Sequence, residues 1–430
     1  MYNVFWMRRD LRLEDNHGLY QALQSPNPVQ LLFIFDTEIL QELPKRDARV
    51  EFIHEQLVKL QESVRAYGSS VRIEHGTVME VWARLAQQES IQAVYANRDY
   101  EPYAKKRDES VRNLLQEHGI SWFDFADQVV MEPQEVLKDN GQPYTVFTPY
   151  SRKWKERLNE KGGIVEYPSQ EHLPRLNPSQ FLAPSLTDLG FEPSGIPFPP
   201  KEVPQSRIVN YEQKRNFPAE EGTSRLSVHL RFGTVSPRAK TRKAFEISPK
   251  FATELIWREF YMSILYHFPH VVERSFRPEY DRIEWRNNAQ EFEAWKAGKT
   301  GYPLVDAGMR ELNRTGHMHN RVRMVVASFL TKHLLIDWRW GEAYFAEKLL
   351  DFELSSNNGG WQWASGSGVD AAPYFRVFNP QLQLEKFDKQ LRYVKRWVPE
   401  FGSFSYPAPI VDHSFARKRC LETYARALKP

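Results

Sequence analysis

Cysteine is almost absent from this sequence, since its 430 residues contain only Cys420. A single thiol excludes an internal disulfide and any four-cysteine zinc or iron–sulfur site. Long apolar runs are missing too, and none approaches the roughly 20 residues of a transmembrane helix. Arg8 and Arg9 come too early for a secretory signal peptide. These absences predict a cytoplasmic protein with no membrane partner and no metal site.

A glycine-rich dinucleotide fingerprint is also missing. The first strand-like run, Tyr2–Met7, is followed by RRDLRLEDN instead of a G-x-G-x-x-G turn. Those glycines normally allow the backbone to approach a pyrophosphate closely. We therefore do not expect this part of the chain to hold a dinucleotide in the usual way.

Strand-like and helix-like segments alternate through the first 130 residues. The spacing predicts strands at Tyr2–Met7, Val29–Phe35, Val71–Glu74, Ala93–Ala96 and Trp122–Phe125, and helices at Arg49–Ala66 and Lys105–His118. This alternation is typical of an α/β domain with a doubly wound parallel sheet.

Proline and helical periodicity divide the rest of the chain. Nine of the 28 prolines lie in residues 165–205, which excludes long helices and central strands there. Apolar residues then recur at three- and four-residue spacing in Thr253–His267, Tyr302–Leu312, His319–Leu335 and Gly341–Leu350. We predict an α/β domain over residues 1–130, an interdomain linker over 131–205 and an all-α domain over 206–430.

Charge is shared unevenly between the two halves. Residues 1–205 hold 23 Lys+Arg and 30 Asp+Glu, a net charge of −7, and residues 206–430 hold 35 and 25, a net charge of +10. The two values sum to the +3 of the whole chain. A basic second half favours a polyanionic partner such as nucleic acid, and a scattered charged surface is the alternative.

Two motifs in the helical half point to a cofactor. The loop GTSRLS at 222–227 offers hydroxyls and amides to a phosphate, although a helix cap explains the same residues. The stretch NNGGWQW at 357–363 sets two tryptophans two residues apart. These motifs, with WMRRDLRLEDN, FRVFNP and YPAPIVDH, resemble the photolyase/cryptochrome family over nearly the whole chain. The resemblance implies an N-terminal α/β antenna domain and a C-terminal helical FAD-binding domain.

The resemblance implies FAD as the cofactor, active in its reduced form. Asn357 matches the position that faces flavin N5, where an amide can hydrogen-bond the protonated, reduced ring. Glu353 stands where better-known members have Asp, which moves the carboxylate by one methylene. The residues that match flavin contacts are Tyr211, Thr223, Ser224, Arg225, Leu226, Ser227, Arg323, Asp351, Glu353 and Asn357.

UV-damaged DNA is the partner that the resemblance implies. Arg215 matches a phosphate contact, and Glu254 matches a residue beside the dimer. A carboxyl group there can stabilise the dimer's radical anion by hydrogen bonding or proton sharing. A surface acid beside a core tryptophan is the alternative explanation for Glu254 and Trp257. The positions that surround the flipped-out dimer are all matched, by Glu254, Trp257, Asn320, Arg321, Met324 and Trp363.

Three tryptophans match the family's electron chain from flavin to surface, namely Trp361, Trp338 and Trp285. Core packing is the usual role of any single tryptophan. Because all three stand at family positions, we expect light to drive electrons along them and reduce oxidised flavin. We count them, with Glu254 and Asn357, as catalytic residues.

Departures from other branches narrow the expected function. The (6-4) photolyases carry histidines at the positions of Asn320 and Met324, and DASH proteins usually have tyrosine at that of Trp363. Plant and insect cryptochromes have Asp or Cys at the position of Asn357. We predict a monomeric class I photolyase that splits cyclobutane pyrimidine dimers by electron transfer from excited reduced FAD. The alternatives are a cryptochrome-type blue-light photoreceptor, a DNA-binding protein with structural FAD and a thermal flavin oxidoreductase.

Two short sequence positions bear on the type of antenna chromophore that the resemblance implies. Folate-type members use an Asn-Glu pair where this chain has Tyr103-Ala104, and a Cys-Lys pair near Val271-Val272. The stretch NRDYEPYAKKRD at 97–108 is closer to deazaflavin-binding members. The resemblance therefore favours a deazaflavin or flavin antenna over folate, and a protein with no antenna is the alternative.

Overall fold

The computed structural model describes residues 1–429. It contains five strands, β1 (Tyr2–Met7), β2 (Val29–Asp36), β3 (Val71–Gly76), β4 (Ile91–Asn97) and β5 (Ser121–Phe125). The α-helices are α1 (His17–Gln24), α2 (Thr37–Leu40), α3 (Ala48–Arg65), α4 (Val78–Gln88), α5 (Pro102–Glu117), α6 (Phe147–Glu160), α7 (Gln205–Val209), α8 (Tyr211–Lys214), α9 (Ser227–Arg231), α10 (Pro237–Ile247), α11 (Pro249–His267), α12 (Ala289–Lys296), α13 (Pro303–Thr315), α14 (Asn320–Ser328), α15 (Trp338–Lys348), α16 (Leu354–Ser365), α17 (Pro380–Phe387), α18 (Arg392–Trp397) and α19 (His413–Leu428). Short 3-10 helices cover Ser169–Arg175, Pro269–Val272 and Pro278–Arg282, and a π-helix covers Phe329–His333.

The five strands form one parallel sheet in the order β3-β2-β1-β4-β5. β2 is buried along its whole length and reads VQLLFIFD, a nearly continuous apolar run of the kind expected for a parallel strand covered on both faces. The chain order reverses at β1, which lies between β2 and β4. With the helical remainder, this confirms the predicted fold class.

The carboxyl ends of β1 and β4 are closed by the protein's own polar side chains. The Asn97 amide donates to Asp10 at 2.6 Å and to Asn16 at 2.8 Å, and its oxygen accepts from the backbone N–H of Gly18 at 2.9 Å. In open α/β sheets this reversal point is where a dinucleotide usually binds. Here a side chain on Gly18 would meet the Asn97 oxygen at 2.7 Å, so the region is already filled.

The helical region is organised around α16, which packs against α11, α14 and α15. Its close approach to α11 depends on Gly359, since a Cβ there would lie 2.2 Å from the Tyr261 ring. α16 begins at a side-chain cap from Glu353 and ends at Gly366 in the left-handed region. These contacts place the motif NNGGWQW in the centre of the helical core.

The predicted continuous helix over His319–Leu335 is wrong at its C-terminal end. α14 ends at Ser328, the π-helix Phe329–His333 follows, and Leu335 adopts a left-handed φ of 50°. An apolar pattern with helical spacing does not separate an α-turn from the wider π-turn.

The chain divides into two compact units with interleaved segments. The first consists of residues 1–135, 154–202 and 225–246, and the second of residues 136–153, 203–224 and 247–430. The proline-rich stretch 165–202 thus belongs to the first unit, as does 225–246, which the sequence analysis assigned to the helical domain. No helix among residues 1–429 is long and apolar enough to cross a membrane.

Candidate active site

Three neighbouring helices carry the six residues expected to surround a dimer. Because α16 packs against both α11 and α14, the side chains of the three helices can face one region. Asn320 is exposed and the other five are half-buried, so a large ligand can reach them. The six lie on α11 (Glu254, Trp257), α14 (Asn320, Arg321, Met324) and α16 (Trp363).

The charged members of this group are brought together. The Arg215 guanidinium forms an ion pair with the Glu254 carboxylate, and both side chains stay partly accessible. Burial, followed by the nearby charge of Arg215, lowers the pKa of the Arg321 guanidinium. Arg321 is held from two sides, by the Asn216 oxygen at 2.8 Å and by the Phe387 ring at 4.5 Å. Two guanidinium groups and one carboxylate therefore converge beside the half-buried rings.

One face of the Trp257 ring is covered by Phe147. The two ring centroids lie 3.7 Å apart with an angle of 7° between the planes, and Phe260 meets the indole edge-on at 5.5 Å. Aromatic neighbours on two sides fix the orientation of a ring. Trp257 is thus a rigid platform rather than a loose surface side chain.

Asn357, Gly360 and Trp363 recur at three-residue spacing on α16 and share one face. A Cβ added at Gly360 would meet nothing within 4 Å, so the helix surface between the amide and the indole is bare. Both hydrogen bonds of the Asn357 amide nitrogen go to Glu342, to its carbonyl at 3.1 Å and its carboxylate at 2.8 Å. The amide oxygen is the end that a ligand can use.

Arg323 and Asp351, two of the residues that match flavin contacts, form an ion pair. Arg323 donates to both oxygens of Asp351 at 3.1 and 3.0 Å and to the Met318 carbonyl at 2.7 Å. Glu353 is the N-cap of α16, since its Oε2 accepts a hydrogen bond from the Ser356 backbone N–H at 3.1 Å. The longer side chain of Glu353 thus serves the helix that carries Asn357.

The predicted phosphate loop is shaped by close packing. A Cβ at Gly222 would lie 2.5 Å from the Lys214 carbonyl oxygen, so only glycine fits there. Tyr211 packs edge-on against Phe251 at 5.2 Å, and burial raises its pKa to about 12. In this loop, Thr223 and Ser224 are half-buried and end a segment of the second unit. Arg225 adopts a left-handed φ of 53°, and Leu226 is buried. Ser227 is the first residue of α9, which belongs to the first unit.

The three tryptophans of the predicted electron chain differ in burial, with the most exposed ring at its expected surface end. Trp361 and Trp338 are 2% and 1% exposed, whereas Trp285 is half-buried and packs against the same core cluster. The Trp285 ring also meets Tyr424 of α19 edge-on at 6.1 Å. The least buried ring is therefore the one expected at the surface end.

Several residues of this site were missed by the sequence analysis. Phe147 precedes Trp257 by more than a hundred residues, and Phe387 follows Arg321 by more than sixty. Asn216 lies outside the segments with helical spacing, whereas Glu342 lies inside the periodic segment Gly341–Leu350 but carries no motif that links it to Asn357. The one sequence signal that could have identified Asn216 as a site residue is its position directly after Arg215.

Comparison with known proteins gives whole-chain matches. Residues 251–405 match the family described as the FAD binding domain of DNA photolyase, and residues 3–174 match the family described as DNA photolyase. A deoxyribodipyrimidine photo-lyase of Synechococcus sp. is 39% identical, over 98% of this chain and 96% of its own.

Two solved structures have closely similar folds. The class III photolyase of Agrobacterium tumefaciens superimposes with a TM-score of 0.87 at 33% identity, over 100% of this chain and 98% of its own. An archaeal photolyase of Sulfolobus tokodaii, described as holding two FAD molecules, gives a TM-score of 0.82 at 34% identity, over 99% of this chain and 100% of its own.

Proposed function

Since this chain belongs to the DNA photolyase family, we propose that it is a deoxyribodipyrimidine photo-lyase that uses light to split cyclobutane pyrimidine dimers in UV-damaged DNA. The family and enzyme class predicted from the motifs are confirmed by this whole-chain similarity. The assignment to class I within the family remains a prediction. The observation that carries the dimer specificity is the presence of all six expected residues on the adjacent helices α11, α14 and α16.

Residues of the second unit have the chemistry needed to hold FAD. The bare face at Gly360 leaves room for a planar ring, and the Asn357 oxygen beside it can accept a hydrogen bond from a protonated ring nitrogen. The Arg323–Asp351 pair supplies charges of both signs close to α14 and α16. The chemistry that bound FAD supplies is the light-driven transfer of one electron to the dimer.

The basic and aromatic residues account for binding of the damaged strand. A dimer must leave the duplex to reach a buried site, and its covalent distortion lowers the cost of flipping. Arg215 can contact a phosphate, because a guanidinium has five donors and pairs with Glu254 through only part of them. The Trp257 ring, backed by Phe147, and the Trp363 ring offer the apolar surface on which the dimer rests.

Polar side chains read the base edges and stabilise developing charge. Asn320 and Arg321 lie at the start of α14 and can donate hydrogen bonds to the base edges. Glu254, oriented by Arg215, is the acid–base group that can share a proton with the reacting bases. Because Arg321 and Glu254 are held by neighbouring side chains before the substrate arrives, little reorganisation of these two groups is needed when charge forms on the dimer.

Repair of UV-irradiated oligothymidine under blue light tests the proposal. Reduced protein should restore absorbance in the thymine band under light, and an identical sample kept in the dark should not. A protein that binds damaged DNA tightly, holds reduced FAD and restores nothing would instead be a cryptochrome-type photoreceptor.

For the antenna, we propose a deazaflavin or flavin rather than folate. At the position of the folate-type Asn-Glu pair, the Tyr103 hydroxyl donates to Asp36 at 2.5 Å and to Glu38 at 3.1 Å. That side chain is tied to the protein itself, which disfavours a folate contact there. Spectra of the chromophores extracted from the purified protein test this, and a folate spectrum would contradict it.

A further inference from the structure

The N-cap of α14, the helix that carries Asn320, Arg321 and Met324, is a residue type that rarely caps helices. The Nδ1 atom of His319 accepts a hydrogen bond from the backbone N–H of Arg321 at 3.1 Å, so the imidazole is the N-cap of α14. Ser, Thr, Asp and Asn are the usual N-cap residues. Because Nδ1 accepts, the neutral ring carries its proton on Nε2. The side chain is only 4% exposed.

The turn that carries this cap is fixed by a buried carboxylate. Glu311 accepts from the backbone N–H of His319 at 3.4 Å and from the Tyr393 hydroxyl at 2.5 Å. Its other oxygen lies 3.4 Å from Nδ1 of His317. Helices α13 and α18 thus hold the backbone of the segment before α14.

We propose that His319 is a positioning residue for damage recognition, whose neutral imidazole caps α14 and thereby sets the side chains of Asn320 and Arg321 against the dimer. Both residues follow the cap directly in the chain, and the N–H that His319 accepts belongs to Arg321 itself. The inference rests on the proposed function, because it assigns a role within the same dimer site.

Protonation would break this arrangement. A proton on Nδ1 would face the backbone N–H of Arg321, placing a donor against a donor. Burial, followed by the charge of His317, lowers the pKa of His319 to about 4, with further effects from Glu311, Arg321 and Arg323. The cap is therefore intact at neutral pH and is lost as the pH falls toward about 4.

The Nε2 side of the ring gives no compensation for a positive charge. Nε2 is buried and has no hydrogen-bond partner among residues 1–429. The groups whose charges act on the ring are the His317 imidazole, the Glu311 carboxylate and the guanidinium groups of Arg321 and Arg323. The Glu311 carboxylate already accepts from the Tyr393 hydroxyl and from the His319 backbone N–H.

Binding in the dark separates the role of the cap from that of the catalytic groups. The FAD-loaded wild type, His319→Ala and His319→Asn are titrated with dimer-containing and undamaged oligothymidine at neutral pH. The ratio of the two affinities should fall about fivefold in His319→Ala, the factor that corresponds to loss of an average N-cap of about 1 kcal/mol. His319→Asn should keep the ratio within about twofold, since its Oδ1 can accept the same hydrogen bond.

An unchanged ratio in His319→Ala, or an equal loss in His319→Asn, would overturn the inference. A pH series gives a second reading that does not depend on the folding of the alanine variant. The wild-type ratio should fall relative to that of His319→Asn as the pH approaches about 4, and parallel profiles would overturn the inference. A wild type with no preference for dimers would overturn the proposed function itself.

Discussion

Replacing Phe147 with leucine tests whether the Trp257 ring needs the stacked Phe147 ring behind it in order to bind a pyrimidine dimer. The two rings are nearly parallel, with centroids 3.7 Å apart. Such a pair contributes about 0.5–1.5 kcal/mol beyond its buried area. Stacking of a base on an aromatic ring contributes about 1–3 kcal/mol, so loss of the backing ring should remove part of that contribution. We expect affinity for dimer-containing oligothymidine to fall about 2- to 10-fold, on the scale of tenfold per 1.4 kcal/mol.

Affinity for undamaged DNA should stay constant in the same variant, since it arises mainly from phosphate contacts. The chain offers a matched control in Phe292, which is stacked on Trp295 at 5.6 Å and 14° in the same unit. Its ring also meets Trp340 and Tyr344, and none of these three residues belongs to the proposed dimer site. Phe292→Leu should leave damage affinity unchanged. Titration in the dark measures both variants. Equal affinities for wild type and Phe147→Leu, or an equal loss in the control, would refute the role of the stacked pair.

Three further results are expected. Trp285→Phe should slow photoreduction of oxidised FAD, followed by the loss of flavin absorbance under blue light; an unchanged rate would remove Trp285 from the electron chain. Glu254→Ala should lower the repair yield per absorbed photon more than it lowers damage binding, and equal yields would contradict the assigned role. Burial, followed by the neighbouring His413, lowers the pKa of His333 to about 3, so the unfolded chain takes up a proton below about pH 6.5 that the folded protein refuses. Stability should therefore fall as the pH drops from about 6.5 to 3, and calorimetry should find a smaller fall in His333→Gln; an equal fall would show that other groups control it.

Local sequence patterns were sufficient for the sheet. β1 was predicted at its observed bounds, and β2 is longer than predicted by one residue, Asp36. Buried parallel strands produce short apolar runs that a reader can recognise without knowing the partner strands. Helical spacing of apolar residues also predicted α11 and α14, which carry five of the six dimer residues. It did not predict α16, which carries Trp363; that residue was selected through the family resemblance.

Contacts between distant residues were beyond those patterns. Nothing in the sequence around Phe147 indicates that it stacks on Trp257, and nothing around Phe387 indicates that it lies under Arg321. The π-helix after Ser328 was missed because its apolar spacing is also compatible with an α-helix. The family resemblance supplied candidate ligand-binding residues but not the side chains that hold them in place.

The interleaving of the two units has a consequence for synthesis on the ribosome. The first unit is completed only by residues 225–246, so its sheet can be made in full while its last segment is still missing. The second unit begins with residues 136–153, which leave the ribosome long before the helices they join. Neither unit can finish folding as a continuous N-terminal piece, and a chain cut at residue 205 would leave both incomplete. Domains usually fold in order as they are made, whereas here the nascent chain must wait at least until residue 246 has emerged.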